Sequence, residues 1–227
     1  MTDMPSAPAL LPPDPTLDEV RAALAPLIAR NAAFDGWREE AVVAAAAQAG
    51  VKTEVATLAF DGGAMAMIDS WFAHIDSEML KACPPERLAS MKVSERITAL
   101  VETRLTLIER NREALRRALA ILAMPQNLVR AGKLGWRAAD LMWRAAGDEA
   151  TDFNHYSKRA SLAGIYSATL LVFLNDESES HADSRAFLAR RIASVMKLEK
   201  AKAKWRSRSH QRPSLSRFVG RLRYHAR

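Results

Sequence analysis

The chain has 227 residues, and 49% of them are hydrophobic, which is enough to bury one sizeable core. Its single cysteine, Cys83, excludes an intramolecular disulfide and a zinc site built from several thiolates, so we expect a cytoplasmic protein. The net charge of +7 is uneven: residues 190–227 hold 13 Lys and Arg against one acid, while the other 189 residues sum to −5. A mildly acidic body and a polybasic tail indicate two separate functions.

The N-terminal third is predicted to be helical after a short arm. Residues 1–15 carry five prolines and no secretory-signal pattern, which predicts a flexible arm. Thr16 and Glu19 match a capping box ahead of an apolar stripe that reaches about position 30. Further helices are expected near 37–49, 53–60 and 64–82, with Gly50 ending the second. Residues 16–82 therefore form one predicted unit resembling a helix-turn-helix.

Residues 83–206 are predicted to form a helical body. One long helix is expected from a cap at Ser94 to about position 122, and three more near 127–146, 151–175 and 184–205. No alternating β-branched run predicts a strand, so the fold class is all-α. No stretch reaches the roughly 20 apolar residues that a membrane-spanning helix requires.

Residues 41–60 (AVVAAAAQAGVKTEVATLAF) resemble the helix-turn-helix of TetR-type repressors. That resemblance implies a small N-terminal unit on a helical ligand-binding body. DNA readers of this kind contact phosphates with basic side chains, yet residues 35–78 hold eight acids and two bases. A net charge of −6 opposes phosphate binding, so we expect a TetR-like bundle that does not bind nucleic acid.

The most informative motifs follow one another in the centre of the body. They are Met-Trp at 142–143, Ala-Gly-Asp at 146–148, Thr-Asp-Phe-Asn at 151–154 and Tyr-x-x-Arg at 156–159. Together they resemble the family that is ninth in the coenzyme Q biosynthesis series, a TetR-like lipid-binding accessory factor. The resemblance covers about residues 37–191. It implies a homodimer that binds an isoprenoid or phospholipid, attaches peripherally to a membrane, and supports a ubiquinone-pathway hydroxylase of the di-iron type.

The resemblance also implies a partner-binding patch. We assign to it Asp140, Met142, His155, Tyr156 and Arg159. Mitochondrial members of the family carry tryptophan at the position of His155, which leaves the identity of the hydroxylase contact open. Without the family, Gly147 is expected to break the helix, and the nearby acids Asp148, Glu149 and Asp152 are interpreted as caps of the next helix.

The helix that follows is apolar around much of its girth, which is typical of burial at the centre of the body. Core packing is one interpretation. The other is a lipid site, in which small residues at 160, 163, 164 and 168 leave room for an acyl or prenyl chain. The lipid-binding residues predicted on this second interpretation are Trp143, Phe153, Ile165, Tyr166, Leu170 and Phe173.

No motif predicts catalysis, a metal or a cofactor. Asp152 and His155 lie three residues apart, but the chain has no Glu-x-x-His motif of the kind that di-metal bundles use. Glu102 and Arg104 are expected to form ion pairs. We therefore predict a protein that is not an enzyme and whose only expected small molecule is a lipid or isoprenoid.

Residues 207–227 are predicted to be a hinge and a basic amphipathic helix. Apolar residues recur at helical spacing among arginines, a pattern typical of helices that lie on anionic membranes. A helix packed on the body and a nucleic-acid-binding arm are the alternatives. The predicted membrane-binding residues are Trp205, Leu215, Arg217, Phe218, Val219, Arg221 and Leu222.

These features predict an accessory protein, peripheral on the inner face of a membrane, that binds membrane phospholipid or an isoprenoid quinone intermediate and presents it to a hydroxylase. A lipid-sensing transcription regulator of the TetR type is the alternative. A scaffold without a ligand is a third possibility.

Overall fold

The computed structural model describes residues 11–12, 14–148 and 153–209, and it describes their side chains except at 153–154 and 198–209. No strand occurs in these ranges, which confirms the all-α prediction. The helices there are α1 (Leu17–Asp35), α2 (Glu39–Ala49), α3 (Thr53–Ala59), α4 (Gly63–Ala82), α5 (Pro85–Ala89), α6 (Val93–Ile108), α7 (Arg112–Leu122), α8 (Leu128–Ala145), α9 (Phe153–Leu174) and α10 (Ala182–Ser209).

The N-terminal capping box forms as predicted. The Thr16 backbone N–H donates to Glu19 Oε2 at 2.8 Å, and the Glu19 N–H donates to Thr16 Oγ1 at 3.3 Å. Helix α1 runs five residues beyond the expected end, because its apolar face continues to Ala32 before Gly36 ends it at φ 77°. Between α2 and α3, Gly50 adopts φ 68°, a left-handed conformation that glycine reaches without steric cost.

Trp37 connects the N-terminal helices to the body. Its side chain is 3% exposed, its ring centroid lies 5.4 Å from that of Trp71 on α4, and its indole N–H donates to the Ala114 carbonyl of α7 at 3.0 Å. Helix α1 also packs against α4 and α7. The helix-turn-helix-like unit and the body therefore share one apolar core.

The prediction of one long helix from Ser94 to position 122 is wrong in two respects. The helix begins at Val93, and Glu95 accepts the Lys92 N–H at 2.8 Å. A 3-10 turn at Glu109–Asn111 then separates α6 from α7. At the start of α7, Arg112 donates to the carbonyls of Phe173 at 2.5 Å and Asp176 at 2.8 Å, which holds α7 against the end of α9.

Helices α8, α9 and α10 form the C-terminal part of the described body. Helix α9 packs against both α8 and α10, and α10 also packs against α6. Helix α8 ends at Ala145, and Gly147 follows with φ 85°, so the predicted break at this glycine is confirmed. The short helix α5 was not predicted, because five residues are too few to show a helical repeat.

Candidate functional site

Arg159 of α9 is the centre of a polar cluster where α9 meets α8. Its side chain is almost fully buried, and it donates to Asp140 Oδ1 at 2.5 Å, to Asp148 Oδ2 at 3.1 Å and to the His155 carbonyl at 3.2 Å. Asp140 lies on α8 and Asp148 follows the Gly147 turn. One guanidinium thus joins α8, the turn after it and α9.

Lys158 completes this cluster beside Trp143. Its Nζ donates to Asp148 Oδ1 at 2.6 Å and lies 5.3 Å from the Trp143 ring, while its backbone carbonyl accepts the Trp143 indole N–H at 3.0 Å. Burial opposes the charge on Asp148, but hydrogen bonds and charge from Lys158 and Arg159 lower its pKa. Asp148 is therefore a charged partner of two α9 side chains, while Glu149 and Asp152, the other predicted caps, lie outside the described residues.

The Gly147 turn that positions Asp148 is fixed by Arg96 of α6. Arg96 Nη1 donates to the Ala146 carbonyl at 2.9 Å, and its Nε donates to the Met91 carbonyl at 2.9 Å. A Cβ at position 147 would lie 3.2 Å from Arg96 Nη1, and φ there is positive. The positive φ favours glycine, and a larger residue would also press on the Arg96 side chain, so the local sequence sets the geometry of the cluster.

The structure separates the predicted partner-binding residues into two groups. Tyr156 is 61% exposed, and Asp140 and His155 are partly exposed. Met142 and Arg159 are 0% and 1% exposed, so neither side chain can touch a partner in this conformation. This corrects their assignment to a contact surface: both side chains lie beneath that surface and support it.

Two further residues of this surface were not predicted. The Trp136 ring centroid lies 6.1 Å from that of Tyr156, and Arg144 Nη2 lies 3.0 Å from Asp140 Oδ2. Trp136, Asp140 and Arg144 are spaced four residues apart on α8. That i, i+4, i+8 spacing is the signal that could have identified them.

The predicted lipid-binding residues lie mainly in the core. Trp143, Tyr166, Leu170 and Phe173 are each at most 7% exposed, and Ile165 is half-buried. Phe153 begins α9, and its side chain lies outside the described part. Lipid binding by these residues stays a prediction.

The small residues expected to leave space for a lipid chain do not share a buried face. Positions 160 and 164 are exposed, and 163 and 168 are half-buried. The space they leave therefore faces outward at least in part. A groove of about 1300 Å³ is found elsewhere, along α1 and α4, with Arg137 of α8 at its edge.

The predicted membrane-binding residues fall almost wholly outside the described residues. Trp205 belongs to α10, without a described side chain, and the amphipathic segment at 215–222 lies beyond it. Within the part of the chain that the structure covers, every helix is too short or too polar to traverse a bilayer. The same part contains no set of three His, Cys, Asp or Glu side chains that could hold a metal ion.

Helix α3 occupies the position of a DNA-recognition helix but presents an unsuitable surface. Its exposed residues include Thr53, Glu54 and Leu58, with Leu58 57% exposed, and only Lys52 immediately before it is basic. A helix with this surface offers phosphate little electrostatic attraction.

Comparison with solved structures gives the class of the fold. A TetR transcriptional regulator from Nitrosomonas europaea superposes with a TM-score of 0.61 at 25% sequence identity, covering 77% of this chain and 96% of that one. The fold is a TetR-like all-α bundle, as predicted.

The family follows from sequence comparisons. Residues 128–199 match the family model COQ9, which covers α8, α9 and most of the described α10. The chain is 33% identical over 169 residues to "Ubiquinone biosynthesis protein COQ9, mitochondrial" of Rattus norvegicus, covering 72% of this chain and 54% of that protein. It is 31% identical to the Homo sapiens protein of the same name over 72% of this chain and 53% of that one. The chain carries a COQ9 family domain, and the resemblance drawn from its central motifs is confirmed. It spans about half the length of these mammalian relatives.

Proposed function

We propose that this protein takes part in ubiquinone biosynthesis as a non-enzymatic accessory that binds an isoprenoid or phospholipid and presents the quinone precursor to a hydroxylase. The main support is the COQ9 domain at residues 128–199, whose relatives are named as ubiquinone biosynthesis proteins. The same residues form the α8–α9 cluster around Arg159. The polar cluster thus lies on helices α8 and α9, within the stretch that the family model matches.

The partner surface in this proposal consists of Trp136, Asp140, Arg144, His155 and Tyr156. It combines a ring pair with charged side chains, and aromatic residues and arginine are the types enriched in protein interfaces. Beneath it, Arg159 and Met142 fix the spacing of α8 and α9. The hydroxylase would contact the exposed residues, and the homodimer would form through another face.

The ligand in this proposal is held by the apolar side of α9, and the basic tail brings the protein to the membrane. Lipid extraction of the purified full-length protein followed by mass spectrometry tests this directly. We expect a co-purifying isoprenoid or phospholipid in stoichiometric amount. Protein that carries none, and that also fails to float with anionic vesicles, contradicts the proposal.

A lipid-sensing transcription regulator is the second candidate, because the Nitrosomonas europaea neighbour is named as a regulator. The excess of acidic over basic residues in the segment 35–78 opposes it. Incubation of the protein with fragmented genomic DNA, followed by capture and sequencing, separates the two. A discrete enriched operator would favour the regulator, whereas we expect no enrichment above a bead control.

A further inference from the structure

Helices α2 and α3 form the helix-turn-helix-like part of the molecule, and the function proposed above gives this part no role. The two helices pack against each other, and their outward residues combine acids with aliphatic side chains. Leu58 on α3 is 57% exposed and Val43 on α2 is 38% exposed. We call this surface the α2–α3 face, and its exposed residues are Glu39, Glu40, Val43, Ala47, Glu54 and Leu58.

Each helix of this face carries an acid one turn before its aliphatic side chain. On α2, Glu39 lies four residues before Val43, and on α3, Glu54 lies four residues before Leu58. Residues at this spacing lie on the same side of a helix. The order of acid and aliphatic residue is therefore the same on both helices, so a partner can be held there by charge and by apolar contact at once.

The acids of the α2–α3 face have no cationic partner within the described residues. The acids of the neighbouring helix α4, in contrast, all pair with an arginine or a lysine. Between positions 39 and 61 the chain holds four acids and a single base, Lys52. Hydration makes an exposed carboxylate without an ion pair inexpensive, but its charge stays uncompensated and attracts a cationic partner.

A partner for this face needs positive charge together with apolar side chains. Nucleic acid is repelled, because its phosphates carry the same sign of charge as the face. A lipid chain would contact Val43 and Leu58 but would leave the carboxylates facing apolar atoms, which is costly. A basic amphipathic helix supplies both kinds of contact along one side, as in other complexes in which a helix docks on a protein surface.

We propose that the α2–α3 face binds the basic tail, residues 207–227, of a second copy of this chain. The tail contains six arginines and no acid, so its charge is opposite to that of the face. Leu215, Phe218 and Leu222 recur at helical spacing, which predicts one apolar side for contact with the aliphatic residues of the face.

The course of α10 favours a tail from another copy over the chain's own. Helix α10 starts beside the 3-10 turn after α6, where His181 Nε2 lies 3.1 Å from Glu109 Oε1, and that turn packs on α1. From there α10 packs along α6 and α9, and its 28 residues extend about 42 Å at 1.5 Å per residue. The chain from Ser209 to Leu215 spans only about 20 Å when extended. A tail that turned back would not regain the end of the molecule to which α1, α2 and α3 belong.

Docking on this face and binding to a membrane exclude each other. The arginines and apolar residues that we assign to membrane binding are the ones that would meet the α2–α3 face, so a docked tail is withheld from the membrane. The inference goes beyond the proposed function, and it depends neither on a bound lipid nor on a hydroxylase.

The test uses the full-length chain and a fluorescein-labelled peptide of residues 207–227. Fluorescence anisotropy of the peptide, titrated with the protein, measures Kd. We expect saturable binding that weakens about tenfold when the NaCl concentration rises from about 50 to about 300 mM, because salt screens exposed charges. Binding of an added peptide shows directly that the face accepts a tail from outside the chain.

Two variants of the protein test the charged and the apolar contacts separately. Glu40→Gln with Glu54→Gln removes two carboxylates, and we expect the Kd to rise about fivefold, since each exposed ion pair contributes little. Leu58→Ser removes the most exposed aliphatic side chain of the face, and we expect the Kd to rise about tenfold. All three residues are exposed, so thermal unfolding of both variants should match the wild type.

Glu86→Gln with Glu179→Gln is the matched control. Both acids are exposed, form no ion pair among the described side chains and lie outside the α2–α3 face, so this variant should bind the peptide like the wild type. A second peptide with Phe218→Ser and Leu222→Ser keeps every arginine, and we expect it to lose most of its affinity.

Three results overturn the inference. If the full-length chain does not bind the peptide, the face does not accept the tail of another copy. Equal weakening by the face variant and the Glu86 and Glu179 control shows that the peptide responds only to the overall acidity of the body. If the serine peptide binds as tightly as the original, apolar docking on Leu58 is wrong. None of these results bears on lipid binding, which lipid extraction tests separately.

Discussion

Asp176 is a buried carboxylate whose position determines how α10 begins. It is 3% exposed and accepts hydrogen bonds from the hydroxyls and backbone N–H groups of Ser178 and Ser184, the latter N–H at 2.8 Å. Replacing it by Asn removes the charge and one acceptor. Because a hydrogen bond to a charged group contributes about 1.5–3 kcal/mol, we expect Asp176→Asn to lower the free energy of unfolding by about 2 kcal/mol at neutral pH. Urea unfolding measures this.

Glu177→Gln is the control, since it removes the same charge from an exposed neighbour. Its effect should stay within about 0.5 kcal/mol. Equal destabilisation by the two variants would show that Asp176 contributes through long-range charge and not through its bonds to Ser178 and Ser184.

The lowered pKa of Asp176 predicts how the free energy of unfolding depends on pH. Burial opposes its charge, but the hydrogen bonds from Ser178 and Ser184 lower its pKa well below the usual range. The unfolded chain has an ordinary Asp pKa of about 3.9, so the contribution is complete above that pH and is lost as the pH falls further. Between about pH 4 and pH 2 the stability difference between wild type and Asp176→Asn should therefore shrink. A difference that stays constant over this range contradicts the assignment.

At the scale of helices, Arg159 holds α8 and α9 together. Removing one partner from a buried ion pair leaves the other charge without compensation, at a cost of about 3 kcal/mol. Arg159→Met leaves Asp140 with Arg144 alone and Asp148 with Lys158 alone, so we expect a smaller loss, of about 2 kcal/mol, in chemical unfolding. The variant should also weaken the hydroxylase binding that we propose, because the surface above Arg159 would lose its fixed spacing.

Arg144→Met is the control that tests whether the contribution of Arg159 to stability depends on its burial. Arg144 pairs with the same Asp140, but its side chain is 68% exposed. Exposed pairs contribute about 0.2–1 kcal/mol, so its effect on stability should be small. If both arginine variants destabilise the protein equally, the contribution of Arg159 does not come from its burial between the helices.

The helices also show which features sequence can predict. Thr16 with Glu19, Gly50 and Gly147 act through contacts within a few residues, and all three were correctly predicted to begin or end helices. The turn at Glu109–Asn111 was missed because the apolar repeat continues through it, and it coincides with contacts from Arg112 to residues more than 60 positions away.

The candidate site likewise contains residues that the sequence could identify and residues that depend on distant contacts. Motif resemblance placed Asp140 and Tyr156 on it, and the spacing on α8 contained a signal for Trp136 and Arg144. Nothing local distinguishes a buried Arg159 or Arg104 from a surface arginine. Their roles depend on carboxylates on other parts of the chain, such as Asp76, which is 28 positions from Arg104.

For the whole molecule, charge is divided between an acidic body and the tail. Residues 190–227 carry +12 and the rest −5, so an anionic membrane would attract the tail and repel the body. We expect the full chain to float with vesicles that contain phosphatidylglycerol and not with phosphatidylcholine alone. Within the tail, Arg217→Gln with Arg221→Gln should weaken binding by about 2 kcal/mol, since each basic residue contributes about 1 kcal/mol near the surface.

The apolar residues of the tail, which sequence spacing predicts to share one helical face, distinguish membrane binding from the alternatives. Phe218→Ser with Leu222→Ser keeps every positive charge, so it should impair vesicle flotation while leaving any attraction to RNA unchanged. Arg130→Gln with Lys133→Gln removes two exposed charges from α8 and is the control for net charge. If this body variant weakens flotation more than either tail variant, the membrane contact lies on α8. If the serine variant floats normally while the arginine variant does not, the tail acts by charge alone, as a nucleic-acid-binding arm would.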